Sequence, residues 1–493
     1  MKVVLISMPD AVPIIVHEAA LHIPNLGIAS VAGNIEPVHE VYLIDLIRKR
    51  GRIRTYLTRT LTKIRPGLVG LSAMTWQFET CVKIARLIRA LLPETKIVLG
   101  GYHATLMYRE VAASPEGQWF DFIIRGEGEE ACRRLVNAMD GQDRLEDIGS
   151  LSHRIVPEFV HNPRAAPLDL ARLRPPIRDR RRLTNGYHVM YNKIESLETS
   201  RGCTRACNYC SIRHMYGGRF RTYPISRVIA DLDDIYYRKK TRWAFIADDN
   251  LVLDPERVLA LCDAIIARGY PNLNLITQAD CLSMARHPEM VRKMASAGFR
   301  SVFLGIENAL PANLVMAQKG DITPATQKAV AHCHRFGIMI IGGLIIGFPD
   351  DDETAIIRNY EFFKSLAVDA AYCQVLTPYP KTGLRKDLLA SGLVTNPTDF
   401  KWYSGLWANV KTHHLTDAQL QYLFWYHKQK ILGWWQPSSL AKRDGRVWTG
   451  IWQHLLQPAL KYNVDRKLHK YGWKGRYRRE MQRMARMNRF EDL

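Results

Sequence analysis

Three cysteines, Cys203, Cys207 and Cys210, fall within eight residues in a C-x3-C-x2-C spacing. Three thiolates on one short loop can hold three corners of a cubane iron–sulfur cluster, and the fourth iron, lacking a protein ligand, can bind a small molecule. Gly202, just before them, allows the tight backbone approach such a loop needs. Two plainer readings start from the same residues: buried thiols without a ligand, or a zinc site completed by His214 in a C-x3-C-x2-C-x3-H pattern. Further along, Asp248 and Asp249 are adjacent carboxylates of the kind that serve as general acid and base.

These groups need a scaffold. Between 191 and 395 six strand-like runs, 194–199, 243–247, 274–277, 301–305, 338–346 and 371–376, are each followed by a helical stretch. That alternation predicts a partial (βα)6 barrel, open on one side, whose active groups gather past the strand ends. The cysteines follow the first run and Asp248-Asp249-Asn250 the second. Gln278-Ala279-Asp280 follows the third and Gly305-Ile306-Glu307-Asn308 the fourth. The fifth carries Gly342, Gly343 and Gly347, and the sixth leads into Thr377-Pro378-Tyr379-Pro380-Lys381.

Residues 1–140 show a second alternation. Short β-branched runs at 3–7, 41–45, 68–72, 96–99 and 122–125 are separated by helical patterns, clearest from Cys81 to Leu92, where apolar residues follow a 3.6 period. This predicts an α/β domain with a parallel sheet covered on both faces, binding its ligand at the carboxyl ends of the strands. Those ends carry Ser72-Ala73-Met74-Thr75, Gly100-Gly101-Tyr102-His103 and Gly126-Glu127-Gly128-Glu129. Glycine lets backbone approach a bulky ligand, and a following helix N-terminus offers free N–H groups. Each loop taken singly is also an ordinary tight turn. Residues 141–190, punctuated by proline, read as an extended linker, with Arg178 and Arg180–Arg182 as a solvated face. Residues 396–493 read as a mainly helical extension.

The composition, 493 residues with 47% hydrophobic and 24% charged, is that of a globular protein of about two or three domains. The N-terminus runs straight into a strand and no apolar run reaches about 18 residues, so neither a secretory signal nor a spanning helix is expected. The other six cysteines are scattered, which fits no disulfide framework and suits a reducing cytoplasm. The net charge of +21 is concentrated at the end. From Lys401 onward there are 18 Lys and Arg against 6 Asp and Glu, together with 8 of the 11 Trp. This region has three readings: packing against the barrel, a basic aromatic surface at the periphery of a membrane, or RNA binding. RNA ranks last, because no RNA-binding module is recognisable.

The cysteine loop, with Tyr209 at the aromatic position before its last cysteine, resembles the signature of the radical S-adenosylmethionine (SAM) superfamily, and the loops behind it follow that family's order. The resemblance implies that Cys203, Cys207 and Cys210 hold a [4Fe-4S] cluster whose open iron chelates SAM. An electron from the cluster then cleaves SAM to methionine and a 5′-deoxyadenosyl radical, which takes a hydrogen from substrate. Tyr209, Asp248, Glu307, Gly343, Ile345 and Gly347 become candidates for contact with SAM, and Asp248 and Asp249 for catalytic contact with its amino group or with substrate. The three loops of residues 1–140 resemble those of the cobalamin-binding domain ahead of many such barrels. Ser72, Met74, Thr75, Gly100, Gly101, His103, Gly126 and Glu127 are then candidates for cobalamin. There are departures. Ile47 stands where many cobalamin domains place a cobalt-ligating histidine, which removes the usual lower ligand. Lys381 replaces a usual glycine, and Gln278 a frequent arginine.

Together the two halves are similar to the branch that holds anaerobic magnesium-protoporphyrin IX monomethyl ester cyclase and the class B radical SAM C-methyltransferases. The leading expectation is C-methylation of an unactivated carbon in a hydrophobic small molecule, with a flavodoxin- or ferredoxin-type electron donor. The second is oxidative ring closure with the same parts. The third is a non-enzymatic metal-binding module that docks RNA or membrane.

Overall fold

The computed structural model describes residues 1–11, 21–155, 158–189, 192–434 and 473–493. Two parallel sheets account for most of them. In the first, Glu40–Asp45, Lys2–Ser7, Leu68–Ser72, Lys96–Gly100 and Phe122–Ile124 lie side by side in that order, all parallel. Val3 to Ile6 is an unbroken buried run, as a strand with helices on both faces requires. Two apolar cores result. Ile84, Ile88 and Leu99 lie in one and Val3, Leu43 and Leu135 in the other.

Residues 141–190 are more structured than an extended linker. Leu151–Ile155 and Glu158–His161 form an antiparallel pair added to the edge of the first sheet. Of the arginine run, Arg180 and Arg182 are exposed as a solvated face requires, but Arg178 and Arg181 are not. Arg178 is buried and donates to Asp231 at 2.5 Å and to the Ser196 carbonyl at 2.7 Å. Arg181 is buried against both oxygens of Glu195, at 2.6 and 2.9 Å. Charges taken out of water need such partners, and here both hold the first barrel strand. The carboxylates lie outside the run itself, at 195 and 231, so local composition gave no sign of them.

The second sheet has six parallel strands in chain order: Asn192–Leu197, Trp243–Ile246, Asn274–Asp280, Phe299–Glu307, Met339–Ile346 and Ala370–Val375. The short antiparallel strands His188–Val189 and Leu21–His22 continue it beyond Asn192–Leu197. One barrel edge is thereby paired and not left as an open template.

The described part of the C-terminal region packs on this barrel. Tyr403, Leu406, Val410, Leu420 and Phe424 are buried, the last two on the helix Asp417–Trp434. After the helix Trp473–Arg486 the chain returns to the first domain. There Phe490 joins the core with Ile53 and Leu57, and Arg54 donates to the Leu493 carbonyl oxygen at 2.9 Å. Trp435, Trp448, Trp452, Leu455, Leu456 and Leu460 lie outside the described residues. Among the described residues no helix is long and apolar enough to cross a membrane.

Asp10, just past the first strand, is buried. Its Oδ1 accepts from the Thr80 hydroxyl at 2.8 Å, while Oδ2 has no partner among the described residues. Burial pushes its pKa up to about 7 from 3.8. A carboxyl raised in the folded state contributes most below the unfolded pKa and loses that contribution as pH rises through the folded one. Asp10→Asn is therefore expected to leave stability near wild type at pH 4 and to raise it by up to about 4 kcal/mol at pH 8. Thermal melts of both proteins from pH 4 to 8 check this, and parallel curves would count against the buried, unpaired carboxyl.

Candidate functional site

The cysteine loop is fastened before it begins. Past the first barrel strand, Ser200–Arg201 pairs antiparallel with Arg221–Thr222. Asp248, fully buried, accepts from the Thr199 N–H, the Thr199 hydroxyl and the Ser200 hydroxyl, each at 2.6 Å. Asp249 accepts from the Gly202 N–H at 2.9 Å. Gly202 has φ +84°, and a Cβ there would stand 2.0 Å from the Arg219 carbonyl oxygen. The adjacent acids are thus separated in role. Both oxygens of Asp248 are engaged in holding the loop, which leaves it unsuited to acid–base work. Asp249 reaches the open space, and burial raises its pKa to about 6.

Cys203, Cys207 and Cys210 line one cavity of about 140 Å³ together with Tyr209, Asp249 and Glu307. The Arg205 N–H points at the Cys203 sulfur at 3.4 Å, and the Cys210 N–H closes a turn on the Cys207 carbonyl at 3.2 Å. Burial raises all three thiol pKa values, that of Cys210 to about 12. A cluster binds thiolates, so its binding would be coupled to release of the thiol protons. Three thiols lining one cavity are the donor set that a cubane cluster with one open corner requires. Glu307, at φ +67°, is paired with Lys319 at 2.8 Å, and the Lys319 ammonium also donates to the Gly305 carbonyl at 3.1 Å.

Gly343, Ile345 and Gly347 do not line this cavity. A Cβ at Gly343 would stand 2.9 Å from the Phe303 ring, so this glycine makes room for an aromatic in the cavity wall. Ile345 is core. Gly347, at φ +92°, is closed over by Leu420, whose Cδ2 would lie 2.8 Å from an added Cβ. Gln278 donates to the Asp248 carbonyl at 3.1 Å, a support within the barrel.

A second cavity of about 380 Å³ opens at the carboxyl edge of the first sheet. Ser72, Met74, Gly100, Gly101, Gly126 and Glu127 line it, as the loop pattern predicts. It extends between the strands because Gly70 brings no side chain there, leaving Leu5 and Val98 as neighbours. Gly101, at φ +90°, sits so close to Ala73 that a Cβ would meet its N and O at 2.9 and 2.8 Å. The close backbone packing and the glycines leave the strand ends bare of side chains, as a bulky ligand requires. Thr75 and His103 do not line it. Thr75 opens the turn Thr75–Gln77 and is buried. His103 lies in the first turn of Tyr102–Ala113 with its ring 4.1 Å from that of Phe78 and 5.7 Å from that of Phe400. Burial lowers its pKa to about 3, and its ring packs among aromatic side chains away from the residues that line the cavity. The helix begins directly after Gly101, which sends Tyr102 into the cavity and turns His103 inward. No histidine is among the described residues that line the cavity.

Sequence reasoning missed the far wall. Glu198 and Arg201, on the approach to the cysteines, line this second cavity along with Met215 and Tyr216 just behind them. Only the position of Arg201, two residues before Cys203, could have suggested it.

Comparison with known proteins agrees with both halves. Residues 12–136 match the B12 binding domain and residues 197–363 the radical SAM superfamily. An uncharacterized methyltransferase, PH0819 of Pyrococcus horikoshii, is 26% identical over 83% of this chain and 89% of its own length. The anaerobic magnesium-protoporphyrin IX monomethyl ester cyclase of Cereibacter sphaeroides is 22% identical over 85% and 71%. In fold, the chain is similar to the radical SAM methyltransferase TsrM of Kitasatospora setae, solved with cobalamin and a [4Fe-4S] cluster bound. The TM-score is 0.65 at 19% identity, over 80% of this chain and 76% of that one. The chain belongs to the cobalamin-dependent radical SAM enzymes, whose cofactors are a [4Fe-4S] cluster, S-adenosylmethionine and cobalamin.

Proposed function

We propose that this enzyme transfers a methyl group to an unactivated carbon of a hydrophobic small molecule. One observation carries the reading: the cavity of the B12-binding domain is walled on its far side by Glu198 and Arg201, the residues that lead into the cysteine loop. A methyl donor in one cavity and a radical source in the other would then share a boundary. In this reading Cys203, Cys207 and Cys210 hold the cluster. Tyr209, Glu307 and Lys319 bound the space for SAM, and Asp249 faces it as a polar contact. Ser72, Met74, Gly100, Gly101, Gly126 and Glu127 hold cobalamin. When bound, the reduced cluster supplies the electron that cleaves SAM, and cobalamin carries the methyl group. The protein supplies position and a water-poor setting. An apolar substrate is supported by Phe303 in the cavity wall, with Tyr372 edge-on to it at 6.0 Å.

A radical methylase uses two SAM molecules per turnover, one leaving 5′-deoxyadenosine and the other S-adenosylhomocysteine. A cyclase, the second reading, favoured by the likeness to the Cereibacter enzyme, needs only the first. The test is anaerobic incubation with reductant, SAM, cobalamin and extract of the source cell, following both nucleosides. Comparable, substrate-dependent amounts are expected. Deoxyadenosine alone would reject methyl transfer in favour of ring closure.

The reading also calls for an external one-electron donor of flavodoxin or ferredoxin type. Contact with an anionic membrane surface is a separate proposal, supported by the exposed side chains of Lys474, Arg478, Arg486 and Arg489.

A further inference from the structure

We propose that Arg201 is a positioning residue that sets the distance and orientation between the cobalamin cavity and the cluster loop. The inference rests on the functional reading above. Arg201 is buried, and its guanidinium has three carboxylate partners. Nη1 lies 3.0 Å from Glu127, Nη2 lies 2.6 Å from Glu129, and Nε lies 2.8 Å from Glu198. Glu127 and Glu129 belong to the first domain. They flank the start of the helix Gly128–Met139 and wall the cobalamin cavity. Glu198 precedes the cysteine loop in the barrel. One side chain therefore joins both domains at the wall of the second cavity, two residues before the first cluster cysteine.

The geometry favours positioning over general support. A guanidinium is a rigid planar fork, and contacts from three of its nitrogens to three separate carboxylates fix its orientation as well as its place. Its backbone is equally constrained. Arg201 pairs with Arg221, Asp248 holds the two residues before it, and Asp249 holds Gly202 after it. A shift of the first domain therefore reaches Cys203, two residues on, with no flexible segment between. Both far carboxylates have other partners. Glu127 also pairs with Arg221 at 3.0 Å, and Glu129 accepts from the Ser30 hydroxyl at 2.7 Å. Glu127 thus keeps a partner across the domain boundary when Arg201 changes, and what is lost is the three-carboxylate grip of one guanidinium.

Two variants separate position from folding. Arg201→Lys keeps the charge and loses the fork. Arg201→Met with Glu129→Gln removes one charge of each sign, while Glu127 keeps Arg221 at 3.0 Å and Glu198 keeps the Tyr223 hydroxyl at 3.0 Å. The full chain, purified without oxygen and loaded with cluster and cobalamin, is reduced to give Co(II) beside the reduced cluster. The readout is the magnetic interaction between the two in electron paramagnetic resonance. Wild-type protein is expected to show Co(II) relaxation enhanced by the cluster. Both variants should keep wild-type iron content while the enhancement falls toward that of cluster-free protein. Deoxyadenosine formed per methylated product should rise about 10- to 100-fold, the cost of misplacing reacting groups by about 1 Å. Wild-type interaction and wild-type product ratio in the double variant would overturn the proposal. So would loss of iron in both variants, which would make Arg201 a general support of the loop. If wild-type protein binds no cobalamin, the functional reading itself fails, whatever the variants do.

Discussion

Cys207→Ala protein, purified without oxygen, is expected to lack the brown colour of the wild type. Its iron should fall from about four per chain to near zero, and its deoxyadenosine production by more than about a thousandfold, because ligands that act as one unit fail as one unit. Cys207 lies at the centre of the spacing, and its loop is held from outside. The Asn208 N–H donates to the Ala317 carbonyl at 3.0 Å, and the Leu384 N–H to the Asn208 carbonyl at 3.1 Å. The shape of the loop therefore does not depend on a cluster, and the alanine variant should fold. Cys281→Ala is the control. That thiol is also buried but lies in the helix Cys281–Arg286 and outside the cavity that Cys203, Cys207 and Cys210 share. Iron, sulfide and deoxyadenosine measured together decide the matter. A variant that retains four irons would exclude Cys207 as a ligand, and tightly bound zinc in the wild type would exclude the cluster.

The difference between those cysteines marks what was legible in the sequence. The C-x3-C-x2-C spacing is local, and so is the alternation of strand and helix. Both could be read in order, and the parallel strands of both sheets fall where the apolar runs predict them, while the short antiparallel additions at 151–155, 158–161, 188–189 and 21–22 were not expected. What depended on the direction of one side chain could not be read. Tyr102 and His103 are neighbours, but the helix that begins after Gly101 sends one to the cavity and the other to the core. Asp248 and Asp249 looked equivalent, yet their separate hydrogen bonds come from Thr199, Ser200 and Gly202, nearly 50 residues away. The fifth-strand glycines were expected at SAM. Gly347 instead answers to Leu420, a residue of the C-terminal helix far beyond the barrel strands. Positions set by packing between distant elements leave no mark at either end of the sequence.

Gly100→Trp is expected to close the cobalamin cavity without disturbing the fold. The position suits the test because its neighbour does not. A Cβ at Gly101 would strike Ala73 at under 3 Å on a backbone with φ +90°, so any side chain there strains the loop itself. At Gly100 the nearest atom to an added Cβ is the Leu71 carbonyl oxygen at 4.0 Å, an ordinary contact. Gly100 ends the strand Lys96–Gly100, so its backbone is extended and accepts any residue. The indole then has one direction to grow, into the cavity lined by Ser72, Gly101 and Gly126. Filling a preformed cavity removes the contacts its ligand would make and adds a steric clash. Cobalamin affinity is expected to fall by at least about 100-fold, or about 2.7 kcal/mol. Iron and sulfide should stay at wild-type values, since the cluster loop is held by Asp248 and Asp249 on the barrel side. Methylated product should disappear with the cobalamin. Equilibrium titration with hydroxocobalamin, beside thermal melts and iron analysis, gives the answer. A variant that melts like the wild type and still binds cobalamin as tightly would place the ligand somewhere other than this cavity. The shared boundary with the cluster loop, on which the methyl-transfer reading depends, would then go with it.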